Sequence, residues 1–250
     1  MNPTNDNAEI VRSALHAAKL PFCAMGDIPI SQKEPIKLFF ERPGQRSEGS
    51  LDAKGIIFPL ASSGDIKPLL EACKQASFGR GGEEVLDPSY RRALVLHASS
   101  FAIAPASAID PCGLGIISKI RQTLLSISPT DLDGDEKRGR RIIARLDKLN
   151  VYSTGDFFKS HVDTPRSTQM FGTLLMNLPV AHEEGGLVVY APYDNNDDRD
   201  RSGAIAQSSD ANLQQRDSYT TTWGAEDVLS WIAFFSDCPH EVLPVKSGNR

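Results

Sequence analysis

The sequence predicts an α+β, mainly β domain: a sandwich or jelly roll buttressed by N-terminal helices. Two observations predict it. From residue 141 onward, five short β-rich runs follow one another with turns between them: "RIIARLDKLNVYS", "MFGTLLMNLPV", "GGLVVYAPY", "DVLSWIAFFS" and "HEVLPV". Before residue 141, the helical periodicities cluster. Helices first and a block of closely spaced strands afterwards is the pattern of a layered β architecture with helices to one side. The predicted organisation is a support region of helices and strands over 1–140 and a β core over 141–250, in one structural domain.

Each element has its own signal. Residues 1–9 are polar, and "EIVRSALHAAKL" carries Ile10, Ala14 and Leu15 at helical spacing. "PIKLFFERPGQRSEGSLDAKGIIFPL" predicts two strands around a polar turn. "SGDIKPLLEACKQA" predicts a helix capped by Asp65, with Ile66, Leu69, Leu70 and Cys73 as its buried stripe. "FGRGGEEVLDPSYRRALVL" is a Gly-rich loop and its continuation. It lacks the Lys-Ser/Thr ending of a phosphate-binding loop, which excludes that function. "GLGIISKIRQTLLSI" is the strongest helix, with Leu114, Ile116, Ile117, Ile120 and Leu124 on one broad face. In "DLDGDEKRGRR", Asp131, Asp133 and Asp135 suggest a calcium loop, but Glu136 stands where glycine is required and Ile142 where glutamate is. A solvated turn is the expectation there. The polar stretch over 194–218 predicts a mobile insertion between two strands.

Composition narrows the function classes. The 250 residues are 40% hydrophobic and 24% charged, ordinary for a globular protein, and long enough to bury a substantial core. A net charge of -5 argues against non-specific nucleic-acid binding. No apolar run approaches the roughly 20 residues needed to cross a bilayer, and the start lacks the pattern of a secretory signal. Cys23, Cys73, Cys112 and Cys238 form no C-x-x-C pair and predict reduced thiols in an intracellular protein, cytoplasmic or nuclear.

The candidate chemistry lies in "HVDTPR". His161 and Asp163 are two apart, so on an extended chain their side chains point the same way. His-x-Asp alone is a weak signal and needs a third ligand. His240, in "SDCPHEVLPV", is the candidate, since it starts a second apolar strand that a folded-over sheet could bring near. Two histidines and a carboxylate make the facial set of non-heme Fe(II) oxygenases, with open positions left for substrate chemistry. Arg250 follows His240 by ten residues and supplies the planar fork that a carboxylate prefers. A metal triad plus an arginine suits an oxygenase using 2-oxoglutarate. Cys238 is expected to be a buried thiol, His182 a turn residue outside the ligand set, and Arg166 either a surface charge or part of the pocket mouth. Alternation places Lys148, Asn150 and Tyr152 on one strand face, and Phe171, Thr173, Leu175 and Asn177 on another. Polar side chains on an inward face are expensive unless they meet a ligand or each other, so Lys148 and Asn177 are weaker candidates for the pocket.

The segments "KLNVYSTGDFFKSHVDTPR", "MFGTLLMNLPVAHEEGGLVV" and "WIAFFSDCPHEVLPVKSGNR" resemble the core of the prolyl 4-hydroxylase-like Fe(II)/2-oxoglutarate oxygenases, particularly a group of large fungal members. "FGRGGEEVLDPSYRRA" resembles an upstream segment of that group. The resemblance implies a double-stranded β-helix of the cupin-like jelly-roll kind. It implies Fe(II) as cofactor, 2-oxoglutarate as co-substrate, O2, and release of succinate and CO2. The substrate it suggests is a protein or peptide, with a prolyl residue as the first expectation. Tyr152, nine residues before His161, falls near the position where the resembling enzymes place a tyrosine hydroxyl beside 2-oxoglutarate. The resemblance also implies a further strand after the arginine, whereas this sequence stops at Arg250. The expectation is an arginine prone to fraying and weak hold on 2-oxoglutarate. The alternative from another class is a non-catalytic β-helix module for binding or interaction, or an inactive truncated homologue.

Overall fold

The computed structural model describes residues 21–30, 35–41, 53–60, 66–125, 141–192 and 216–250. In chain order, the first strands are β1 (Cys23–Pro29), β2 (Ile36–Glu41) and β3 (Ala53–Phe58), followed by helix α1 (Lys67–Ala72). Then come β4 (Lys74–Gln75), β5 (Phe78–Arg80), β6 (Glu83–Val85), β7 (Arg91–Arg92), β8 (Leu94–His97) and β9 (Phe101–Ala104), and helix α2 (Ile116–Leu124). The later strands are β10 (Lys148–Val151), β11 (Phe157–His161), β12 (Gly172–Asn177), β13 (His182–Glu184), β14 (Leu187–Tyr190) and β15 (Ser218–Thr220). β16 (Val228–Phe235), β17 (His240–Val242) and β18 (Val245–Gly248) complete the set. The fold is mainly β, as expected.

Two sheets frame the interior. One runs β1-β16-β12 and the other β15-β14-β17-β11-β7. Their inner faces share one core: Cys23, Ile232 and Phe234 from the first, with Phe158, Leu187, Val189 and Val242 from the second. β16 explains the run "VLSWIAFF", which is apolar with little alternation. Ile232 and Phe234 face that core, while Trp231 and Ala233 meet Ile116, Ile117, Ile120 and Leu124 of α2 on the opposite face. A strand covered on both sides has no need of a polar face. A third cluster joins β2, β3 and α1 to Leu96, Val151 and Leu229.

Strand pairing crosses the expected division at residue 140. β1 pairs with β16 from Cys23↔Phe234 to Pro29↔Val228, β7 pairs with β11, and β8 with β10. β1, β4, β7 and β8 are therefore hydrogen-bonded members of the same sheets as later strands, while β3-β2-β9 and β5-β6 pair among themselves.

Several elements differ in extent from the sequence expectation. α1 begins after Ile66 with proline in its first turn, and Cys73 turns extended, so Lys74 and Gln75 pair with Val95 and Leu94 instead of continuing the helix. Asp65 lies outside the described residues. "RIIARLDKLNVYS" forms a ladder only from Lys148, and residues 141–147 make no strand. The Gly-rich loop is a hairpin, β5-β6, turned by Gly81 and Gly82 at φ 63° and 87°. Positive φ at both central residues is the turn that matches strand twist. The N-terminal helix, the charge run over 131–140 and the insertion over 194–215 fall outside the described residues. Ser218, placed in that insertion from sequence, opens β15. No helix among the described residues is long and apolar enough to cross a membrane.

Candidate metal centre

β11 and β17 lie side by side, and His161 stands directly opposite His240. A bulge arranges this. Phe158 pairs with Val242, and the register then shifts before His161 pairs with His240. In a regular strand, residues three apart face opposite sides. The shift puts Phe158 and His161 on one side, and their rings stack at 3.5 Å between centroids with 22° between planes. Re-aiming a side chain is a common use of a bulge.

Each histidine is oriented by the backbone. Nδ1 of His161 lies 2.9 Å from the Lys159 carbonyl oxygen, and Nδ1 of His240 lies 3.1 Å from that of Cys238. A carbonyl only accepts, so each Nδ1 carries the hydrogen and donates. Each Nε2 of the neutral ring then bears a lone pair. Both Nε2 atoms face Asp163. They are 4.0 Å (His161) and 3.8 Å (His240) from its Oδ1, too far for hydrogen bonds. Asp163 is fixed through its other oxygen, which accepts from Thr173 Oγ1 at 2.6 Å. One ligand atom from each residue lies within 4.8 Å of the other two.

The two sheets both contribute. Thr173 on β12 is the register partner of Phe234 on β16, and the Phe234 ring sits 4.7 Å from that of His240. The imidazoles are thus walled by Phe158 and Phe234, while the Asp163 side chain is 32% exposed. Burial, then the neighbouring His240 ring, hold His161 well below the ordinary histidine value. Burial also lowers His240, with Asp163 and the Cys238 carbonyl acting the other way. Both rings are held neutral, the form that binds metal.

That depression predicts a pH dependence. The native rings take up protons only below the ordinary 6.5, whereas in the unfolded chain they do so at it. Below that value the unfolded state binds more protons, so stability is complete above pH 6.5 and falls as the pH falls. His182, also lowered by burial, adds to the same slope. Thermal melts of chelator-treated protein should show Tm declining from pH 7 to 5, and His161→Gln should flatten the decline. A pH-independent Tm would refute it.

Arg250 occupies a separate place. Its backbone exchanges two hydrogen bonds with Tyr152, at 2.7 and 2.8 Å, and Asn249 bridges to Ser153. These bonds hold the residue that was expected to fray. The guanidinium donates to the Gly185 carbonyl and lies 4.6 Å from the Trp223 ring and 5.8 Å from that of Tyr152. Burial pulls its pKa down to about 10. No carboxylate is within ion-pair reach among the described residues.

No family model matches the chain, and no curated protein does. Among solved structures, a prolyl-4-hydroxylase of Pseudomonas putida is 16% identical over 75% of this chain and 78% of that one, with a TM-score of 0.37.

Of the residues singled out from sequence, His161, Asp163 and His240 come together, and Tyr152 meets Arg250. Lys148 lies 3.9 Å from Asp147, and Arg166 pairs with the same carboxylate. Asn177 donates to the adjacent Leu178 carbonyl. His182 stands outside the triad, its Nδ1 facing the Val180 carbonyl. Cys238 is fully buried, and burial pushes its thiol to about 12. Its contribution is the carbonyl that orients His240. Sequence reasoning missed Phe158 and the role of Thr173. Thr173 had a signal, because alternation placed it on the inward face of β12. Replacing Thr173 by Val should weaken Mn(II) binding about tenfold, since partners that orient a ligand contribute roughly 10–100-fold. Unchanged affinity would show that the hydroxyl does not position Asp163.

Proposed function

We propose that the chain is an Fe(II)- and 2-oxoglutarate-dependent oxygenase of the prolyl 4-hydroxylase-like kind, built on a double-stranded β-helix. The observation that carries this is the convergence of two Nε2 lone pairs and one carboxylate oxygen, each side chain locked by its second polar atom. Two nitrogens and one oxygen are the donor set of non-heme Fe(II), with coordination positions left for a chelating co-substrate and O2. A closed Cys-rich set would have favoured structural zinc, and Cys238 does not join the three ligands.

Arg250 supports the second half of the proposal. A guanidinium withdrawn from water without a carboxylate is costly and calls for an anionic partner. The far carboxylate of 2-oxoglutarate fits that need, with Tyr152 beside it. When bound, iron and 2-oxoglutarate would activate O2, one oxygen atom going to an unactivated C–H bond and the other to succinate as CO2 leaves 2-oxoglutarate. The protein's own side chains do the rest. His161 and His240 stay neutral through their carbonyl bonds, Thr173 holds Asp163, and Phe158 and Phe234 keep water from the rings. The proposed partners are O2 and a substrate that a protein or peptide could provide, without nucleic acid or membrane.

Anaerobic titration with Fe(II) and then 2-oxoglutarate tests this. A weak visible charge-transfer band is expected from the chelate, followed by succinate formation coupled to 2-oxoglutarate loss once air is admitted. Absence of both band and iron binding would refute the proposal. A band without turnover by any substrate would favour the non-catalytic module.

A further inference from the structure

Lys148 has no task in the metal centre, yet it stands on the same face of β10 as Asn150 and Tyr152. That face looks inward. Asn150 accepts a hydrogen bond from Arg91 at 2.9 Å, and Tyr152 is part of the core between the sheets. Leu149 and Val151, on the other face, pack in the separate cluster around β2 and α1. From that face contacts lead to the triad: the Arg91 guanidinium that donates to Asn150 lies 4.4 Å from the Phe158 ring, which stacks on His161. Lys148 shares this face, with a side chain 33% exposed.

The charges around it do not balance. Among the described residues, Asp147 is the single carboxylate within ion-pair reach of Lys148, at 3.9 Å, and Arg166 claims that carboxylate at 2.5 Å. Arg91 is 4% exposed and spends its guanidinium on Asn150, the Ser77 carbonyl and the Phe158 ring, 4.4 Å away, none of them anionic. A divalent cation in the triad takes up the charge of Asp163. The two carboxylates of 2-oxoglutarate are then matched by what remains on the metal and by Arg250. Lys148 and Arg166 then share one carboxylate, Asp147, and Arg91 has none within ion-pair reach among the described residues.

We propose that the substrate carries a carboxylate or phosphate group, and that Lys148 binds it next to the metal. This rests on the metal and 2-oxoglutarate reading above, and it adds the class of substrate. Arg166, 67% exposed and tied to the same Asp147 as Lys148, adds positive charge on the approach to it. A compact ammonium on a flexible stem suits a point contact to an anion, and opposed charge steers approach as well as docking. The group attacked lies within a side chain's reach of that anion.

The test uses the full chain loaded with Mn(II) in place of Fe(II), with saturating 2-oxoglutarate. The probes are N-acetyl-glutamate amide, N-acetyl-glutamine amide and N-acetyl-lysine amide. Proton relaxation of each probe by the bound Mn(II) reports its occupancy near the metal. Mn(II) retention, read first by its own spectrum without probes, tests the metal reading separately, and failure there overturns both. With the metal held, the acidic probe should show about tenfold higher apparent affinity than its amide, the scale of one charge-assisted contact. Lys148→Met should remove that difference while keeping Mn(II) and 2-oxoglutarate affinities, and Lys148→Glu should turn the preference toward the lysine probe. Circular dichroism and Tm confirm that both variants fold. Equal relaxation of acidic and neutral probes by the parent overturns the proposal. So does an acidic preference that survives Lys148→Met, or a Lys148→Met variant whose main loss is 2-oxoglutarate affinity.

Discussion

Asp163→Ala should yield a folded protein that binds Fe(II) or Mn(II) about 100-fold more weakly or worse. Removing even a group that orients a ligand costs roughly 10–100-fold, and Asp163 is the only anionic ligand of the three. The substitution is mild for the fold, because the side chain is 32% exposed and its hydrogen-bond partner, Thr173, is only half-buried. His240→Ala should match the loss in metal affinity but cost stability as well. Its ring packs on Phe234 and leaves a cavity, so it melts earlier. Calorimetric metal titration with Tm measured on the same samples separates the effects. An Asp163→Ala protein with parental affinity would require another anionic ligand and would dissolve the triad.

Arg250→Gln should leave metal binding alone and raise the Kd for 2-oxoglutarate roughly 30-fold, about 2 kcal/mol for a charge-assisted pair. The backbone bonds to Tyr152 do not depend on the side chain, so the chain end keeps its place. Arg250→Lys should recover part of the affinity, because charge survives while the planar fork is lost. Titration of 2-oxoglutarate into Mn(II)-loaded protein measures this. Equal Kd values for the parent and the Arg250→Gln protein would free the arginine from any role in holding the co-substrate.

The three residues that come together in the candidate metal centre were legible in the sequence because their spacing is local for one pair and marked by a strand start for the third. His161 and Asp163 share a short segment, and His240 opens "HEVLPV". Alternation also indicated that Lys148, Asn150 and Tyr152 share a face, and that Thr173 points inward. What joins them was not legible. The bulge between Phe158 and His161 leaves no trace in residue type, since pairing to β17 creates it. The stack of Phe158 on His161 depends on that bulge, so periodicity alone would place the two rings on opposite sides. Arg91 gave no signal either. An arginine in "SYRRALVL" looks like a surface charge until β7 sets it opposite Phe158. The short reach of α1 has a similar cause: Lys74 and Gln75 have adequate helix propensity, but β8 offers them a ladder.

The facing of His161 and His240 across β11 and β17 has a consequence for how the protein is made and lost. In an unfolded chain His161 keeps only Asp163 as a near companion, and His240 is remote. A metal ion then finds a weak two-point hold that exists before folding and a full site that exists only after the distant strands have met. The binding energy of a metal held by the three residues would thus be tied to closure of the longest-range pairing in the centre, and such an ion would favour the native state by mass action. Contacts completed late act mainly on escape from the native state. An ion bound there would therefore work as a latch: it would do little to bring the sheet together and much to keep β17 from leaving.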